Sequence, residues 1–172
     1  MSIRERLKAE GLEIPVAPKP VAAYVPATRT GNLLFTAGQL PLRDGVMVKE
    51  GKVGLDVTVE EAKELAKICA LNCLAAVETV IPVEKIVKVV RVVGYVNGVP
   101  GFTAQPAVIN GASELFVALW GEDGKHARSA IGVADLPLNA PIELELTVEV
   151  RINSLSALCK AFIVKHYNCS SF

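Results

Sequence analysis

The sequence predicts an α+β fold, one mixed β-sheet with two helices packed on one of its faces. Three observations predict it. Residues 142–150 alternate without a break: Ile142, Leu144, Leu146, Val148 and Val150 fall on one side, and Glu143, Glu145, Thr147 and Glu149 on the other. That is the period of a half-buried strand, and the β-branched residues suit it. Residues 58–80 carry an apolar stripe at three- and four-residue spacing behind a capping motif, and residues 106–120 carry a second stripe. The order along the chain is ββ, α, β, α, ββ, which favours a sheet layered with helices on one side.

Taken in order, residues 2–13 are charged and suit a short helix, and residues 15–20 form an extended, proline-rich lead-in. Residues 21–28 and 32–39 read as two strands around a Gly31-Asn32 turn of hairpin type. Tyr24 falls on the first of them and Gly38 near the end of the second. Residues 42–54 hold three glycines among polar residues and read as a loop or small hairpin. Thr58 and Glu61 form a capping box. Behind it, Ala62, Leu65, Ala66, Cys69, Cys73, Ala76, Val77 and Val80 make the stripe of a helix that stops before Pro82. Its alanines and cysteines are small, so it can lie close against a sheet. Residues 85–96 form a third strand, whose mixed apolar character predicts cover on both faces.

Residues 97–105 make a loop broken by glycine and proline. The second helix starts near Pro106, a residue suited to a first turn, and Gly121 is its stop. Val108, Ile109, Ala112, Leu115, Phe116 and Leu119 line its buried side. Residues 129–136 read as a strand and residues 136–141 as the turn into the last strand, since Pro137 and Pro141 lack ladder donors. The expectation is a hairpin with Arg128 at its start and Glu143 just past its turn. Residues 152–172 fit none of this: Asn153-Ser154-Leu155-Ser156 breaks the strand, and residues 157–166 have only a weak helical pattern. They are expected to be a dispensable extension foreign to the domain, with a C-terminal helix as the alternative.

Composition narrows the function. The chain has 172 residues, enough for one domain with a proper core. Eighteen basic and eighteen acidic side chains give a formal net charge of zero, so no basic surface invites nucleic acid. No apolar run is long enough to span a membrane and the first ten residues are too polar for a signal peptide, so a cytoplasmic protein is expected. Hydrophobic residues make up 51% and mean hydropathy is +0.40, a surplus best explained by burial between subunits. The four cysteines show no CxxC spacing, and Cys69 and Cys73 sit on a helix's apolar stripe, which makes them core thiols in a reduced protein.

Few residues remain for chemistry. His126 and His166 are the only histidines, with no carboxylate or cysteine at ligand spacing, so no metal site is expected. No glycine-rich phosphate motif is present. Ser113 and Ser129 lack a histidine partner visible in sequence, which leaves a Ser-His hydrolase with little support. Arg128 and Glu143 stand out by chemistry: a guanidinium fork suits a carboxylate-bearing ligand, and a carboxylate can hold or activate water. On their own, though, an arginine and a glutamate on a hairpin are more often surface residues.

Resemblance raises their standing. Ala127-Arg128-Ser129, Val133-Ala134-Asp135-Leu136-Pro137 and Ile142-Glu143 resemble the closing signature of the RidA (YjgF) family. Leu34-Phe35-Thr36-Ala37-Gly38-Gln39-Leu40-Pro41 and Tyr24 match further upstream, and the similarity runs in order from about Pro18 to Val150. The resemblance implies a chorismate-mutase-like, RidA-like fold over residues 1–152, with residues 153–172 as an atypical extension. It also implies a homotrimer with clefts between subunits. The implied activity is hydrolysis of reactive 2-imino acids to 2-keto acids and ammonia, without a cofactor. In that pattern Arg128 matches the arginine that binds the substrate carboxylate, and Glu143 the glutamate that holds the attacking water. Gly38 matches the glycine whose backbone faces the ligand, Tyr24 the tyrosine that closes the pocket, Asn110 an asparagine of the second helix, and Lys88 a lysine of the central strand. Ala130 stands where many members have cysteine, and its main-chain carbonyl is the group the pattern uses. Ala37 replaces a common serine, Pro26 a common glutamine, and the loop after Val96 is longer than in short members. Two alternatives go with the family: a sensor that binds a small carboxylate or keto acid without turnover, and an endoribonuclease or translation inhibitor, against which the neutral charge weighs.

Overall fold

The alternation at the end of the chain becomes the strand β7, Ile142–Val150, whose five apolar residues are fully buried while Glu143, Glu145, Thr147 and Glu149 lie partly exposed. The structure is a computed structural model and describes residues 1–17 and 23–151. The expected extension over residues 153–172 and the beginning of the expected first strand lie outside those residues. Before β7 come the helix α1 (Ile3–Ala9), the strands β1 (Ala27–Thr30), β2 (Leu33–Thr36), β3 (Leu42–Arg43) and β4 (Val46–Met47), and the helix α2 (Val59–Glu78). The strand β5 (Ile86–Asn97), the helix α3 (Gln105–Trp120) and the strand β6 (Ala127–Val133) follow. Both expected caps form: Thr58 accepts from the Glu61 N–H while Glu61 reaches back, and Gly121 ends α3 at φ 60°. Ser2 and Glu5 make a second capping box that starts α1.

One five-stranded sheet runs β1-β2-β7-β5-β6, and β3-β4 make a separate small hairpin. Within the large sheet only β5 and β6 pair in parallel; the other neighbours are antiparallel. The sheet is mixed, and α2 and α3 pack on each other and on the face that carries the apolar side of β7. Two glycines outside α2 set the distances between these elements. A side chain at Gly111 would overlap the Lys63 carbonyl oxygen where α3 crosses α2, and one at Gly94 would overlap Ile109 where α3 crosses β5. Cys69 and Cys73 are fully buried against β7, with the Cys73 thiol 3.4 Å from the Leu144 carbonyl oxygen. Burial pushes the Cys73 thiol up to about 12 and Cys69 well above its ordinary value, so both are core groups rather than nucleophiles.

Three expectations are corrected. β6 and β7 are not a hairpin: β5 lies between them, taking β6 on one edge and β7 on the other. The chain reads β5, helix, β6, and a helical crossover returns the next strand parallel to the first, which uses up the edge that a hairpin would need. Residues 134–141 then pass over the end of β5. Asn97 holds them there, its N–H donating to the Pro141 carbonyl at 2.9 Å and its side chain to the Ala140 carbonyl at 3.2 Å. Tyr24, expected on the first strand, precedes β1. The mixed apolar pattern of β5 also has a different cause. Register shifts between Ile86 and Lys88 and between Val89 and Arg91 break the alternation, so Lys88 and Arg91 lie exposed on the face away from the helices.

The contact at Gly111 supplies a stability test. Gly111→Ala should lower unfolding free energy by about 1–3 kcal/mol, because backbone rather than a flexible side chain blocks the new methyl. Urea denaturation followed by circular dichroism measures it; an unchanged midpoint would mean that α2 and α3 can separate freely.

Candidate functional site

Glu143 owes its setting to an interruption in the β2–β7 ladder. Regular pairing ends with Phe35 opposite Thr147, and the Leu146 N–H then goes to the Thr36 hydroxyl at 3.0 Å. Pairing resumes where Gln39 and Leu144 exchange bonds of 2.9 and 3.0 Å. One residue more lies on the β2 side than on the β7 side, so Ala37-Gly38 bulges from the ladder. Gly38 comes down over Glu143, and a Cβ there would overlap its Oε1. Glycine is required here by space, not by backbone angle. On the neighbouring strand Tyr95 is in register with Glu143, and its hydroxyl donates to Glu145 Oε1 at 3.3 Å.

No cation pairs with Glu143 among the described residues. Burial first, and the like charge of Glu145 second, hold its carboxyl above the ordinary value. Tyr95 is also raised, by burial and then by Glu145. This is a carboxylate with reason to accept a proton.

Arg128 belongs to a different neighbourhood. It is in register with Val92 of β5, whose side chain is buried under the helices, so Arg128 points to the helix side at the edge of the sheet. There its Nη1 donates to Asn110 Oδ1 at 2.8 Å and to Ser113 Oγ at 3.1 Å, both on α3. Ala130, two residues on, shares that side and is partly buried against the core. Ser113 Oγ in turn lies 3.0 Å from His126 Nε2, while His126 Nδ1 lies 2.7 Å from the Gly124 carbonyl oxygen. Burial first and the Arg128 charge last lower the imidazole's pKa; the Gly124 hydrogen bond opposes them.

The expected site residues therefore fall into two groups. Arg128, Asn110 and Ala130 lie on the helix side at the β6 edge; Gly38 and Glu143 lie on the open side. Two strand spacings, roughly 9–10 Å, and the thickness of the sheet separate the groups within one copy. Tyr24, just before β1, is 54% exposed and joins neither group by a hydrogen bond among the described residues. Lys88 is exposed in register with Glu149, near the far end of β5 from Tyr95. Ser113, His126, Tyr95 and Glu145 were not expected. Two had a signal: Ser113 is three residues after Asn110 on a helix, and His126 two before Arg128 on an extended segment, which puts each on its neighbour's side. No group of three His, Cys, Asp or Glu side chains is arranged to hold a metal among the described residues, and no described helix is long and apolar enough to cross a membrane.

A mixed sheet under two helices, with an anchored arginine at one edge and a half-buried carboxylate on the open face, is a small α+β protein of the chorismate-mutase-like class. The family model described as "YjgF/chorismate_mutase-like, putative endoribonuclease" matches residues 4–150, and the chain belongs to this YjgF/RidA family. Protein TCP17 of Trypanosoma cruzi is 35% identical over 150 residues, covering 86% of this chain and 94% of that protein. The 2-iminobutanoate/2-iminopropanoate deaminase of Dermatophagoides farinae is 29% identical over 140 residues, covering 81% and 94%. Among solved structures, protein Atu1372 of Agrobacterium tumefaciens, of unknown function, is 45% identical with a TM-score of 0.81, covering 87% of this chain and 92% of its own.

The two causes acting on Glu143 can be separated. Glu145→Gln removes the like charge and leaves burial, so the Glu143 midpoint should fall while staying above that of an exposed glutamate. Carbon-detected NMR of the carboxyl groups measures it, and a midpoint that rises or stays fixed would contradict this account of the site's electrostatics.

Proposed function

We propose that the protein hydrolyses 2-imino acids to 2-keto acids and ammonia, in clefts formed between the subunits of a homotrimer. The observation that carries the reading is Glu143 itself: a partly buried carboxylate beneath Gly38, without a cationic partner among the described residues, and shifted toward accepting a proton. The substrate's carboxylate binds the guanidinium of Arg128, which Asn110 and Ser113 hold in place. Water held by Glu143 and the Ala130 main-chain carbonyl adds to the C=N carbon, and Glu143 takes one proton from it and passes it to the nitrogen. As the C–N bond breaks, the remaining hydroxyl proton also goes to nitrogen, which leaves as ammonia, and the carbon keeps the oxygen as a ketone. In the family pattern Tyr24 closes the pocket and Lys88 is a lysine of the central strand. The reaction needs no cofactor, because the imine carbon is already electrophilic.

The separation of the two groups supports a site shared between copies, and the family pattern supplies the number three. Arg128 and Glu143 look out on opposite sides of one sheet, so a single ligand can meet both chemistries when a second copy brings its Glu143 side against the Arg128 edge. Leu33, Phe35 and Ile131 are exposed apolar residues of the sheet that such packing would cover. Light scattering should give three times the chain mass; a stable monomer that is fully active would overturn this part. A ribonuclease reading is less well supported: formal net charge is zero and the open side of β7 presents Glu143, Glu145 and Glu149, which repel phosphate. A cytoplasmic location suits a substrate released by metabolic enzymes.

The deaminase assay follows ammonia and keto acid from an enzymatically generated imine. Arg128→Ala should abolish binding of the keto acid and turnover together, and Arg128→Lys should rescue poorly for want of the fork. Glu143→Gln should keep most of the affinity and lose about 10²–10⁴-fold in rate. In the parent protein the rate should rise with pH through a midpoint above the ordinary carboxylate range, since the base is the deprotonated form. Full activity in Arg128→Ala would sink the assignment. Tight keto acid binding with no ammonia formed would make the protein a sensor.

A further inference from the structure

Ser113 and His126 extend the Arg128 contact into a chain whose direction is forced. A guanidinium only donates and a carbonyl oxygen only accepts. His126 Nδ1 must therefore carry the hydrogen that meets the Gly124 carbonyl at 2.7 Å. In the neutral ring Nε2 is then bare, and the Ser113 hydroxyl donates to it across 3.0 Å. That leaves the lone pairs of Ser113 Oγ for Arg128 Nη1 at 3.1 Å. The hydrogen bonds run one way, from Arg128 through Ser113 to His126 and on to Gly124, and each polarises the next.

The pair is not a nucleophile and its base. Ser113 sits within α3, where the surrounding main-chain N–H groups are spent on helix bonds and none is free for an oxyanion. Its oxygen is also already occupied by Arg128.

We propose that Ser113 and His126 are positioning residues for Arg128, and that the imidazole couples carboxylate binding at Arg128 to uptake of one proton. This rests on the reading that Arg128 holds the substrate carboxylate. The surroundings of the ring set the sign. Phe116 stacks edge-on at 6.0 Å from α3, and the Gly124 carbonyl closes the other side. Of the charged groups nearby, Glu114 is paired with Lys63, Glu122 with Lys125, Asp123 lies exposed in the turn before β6, and Arg128 is the one whose charge bears on the imidazole. Burial and that charge both keep the ring neutral. A bound carboxylate offsets the Arg128 charge, which raises the ring's proton affinity. Once protonated, Nε2 donates to Ser113 Oγ, and the hydroxyl hydrogen is released to turn toward the anion. Both effects favour the anion with the protonated ring, so affinity should rise as pH falls through the His126 range.

The experiment titrates His126 by proton NMR, its signal assigned by loss in His126→Gln, beside calorimetric titration with pyruvate. Without ligand, Arg128→Gln should raise the His126 midpoint, because one of its two lowering causes is removed. Saturating pyruvate should raise it in the parent protein. Pyruvate affinity should strengthen with falling pH in the parent and become flat in His126→Gln, whose amide oxygen can accept from Ser113 without titrating. Ser113→Ala should weaken pyruvate binding about tenfold or more, and Ser113→Thr should restore it. A His126 midpoint unmoved by Arg128→Gln, or a parental pH profile in His126→Gln, overturns the inference. Pyruvate that fails to bind the parent at all sinks the carboxylate reading and the coupling with it, whereas the positioning role stands or falls on the ligand-free shift.

Discussion

β5 takes β7 antiparallel along one edge and β6 parallel along the other, and the register of these two ladders decides which residues share a side. Val92 joins Leu146 and Arg128 in one row; Tyr95 joins Glu143 and Ile131 in another. Adjacent rows alternate between the helix layer and the open face. A slip of one residue along either ladder would turn Arg128 away from Asn110 and Ser113, or press Glu143 into the apolar layer beneath α2. Burial enforces the register: five fully buried side chains of β7 would be exposed by such a slip, at a cost of about 1.5–3 kcal/mol each.

The same burial supplies the site with its electrostatics. A half-buried carboxylate with no cationic partner among the described residues is expensive, and the protein lowers that cost by keeping Glu143 partly exposed and shifting it toward its neutral form. The imidazole of His126 is treated likewise, kept neutral beside Arg128. The fully buried thiols of Cys69 and Cys73 are shifted so far that they behave as apolar filling. Depth below the surface thus separates groups that can exchange protons from groups that cannot.

A site of this kind need not perform demanding chemistry. Fixing a carboxylate and aiming a water molecule at an electrophilic carbon recovers orientation worth up to about 7–11 kcal/mol in the most favourable cases. Rigid supports matter more than reactive side chains for that purpose. Arg128 has two anchors on one helix, and Glu143 lies under a backbone bulge pinned by the Thr36 hydroxyl and the Gln39–Leu144 pair.

Local rules were enough for much of the fold. The period of two in β7, the capping box at Thr58, the stop at Gly121 and the small residues of α2 depend on neighbours within a few positions, and each is readable as a string of letters. Arg128 and Glu143 stood out by their chemistry, whereas Gly38 and Asn110 were singled out by resemblance to the family pattern. Strand pairing was not readable, because it depends on which edges remain free after the helices have docked. The chain between β6 and β7 has the turn residues of a hairpin, yet β5 occupies the position the hairpin would need. Only the tertiary structure put Arg128 and Glu143 on opposite sides of the sheet, and only it joined Ser113 to a histidine thirteen residues away. The physical reason is that a period shows which side a residue takes within its own element, whereas contact between elements is decided by packing, which no local pattern encodes.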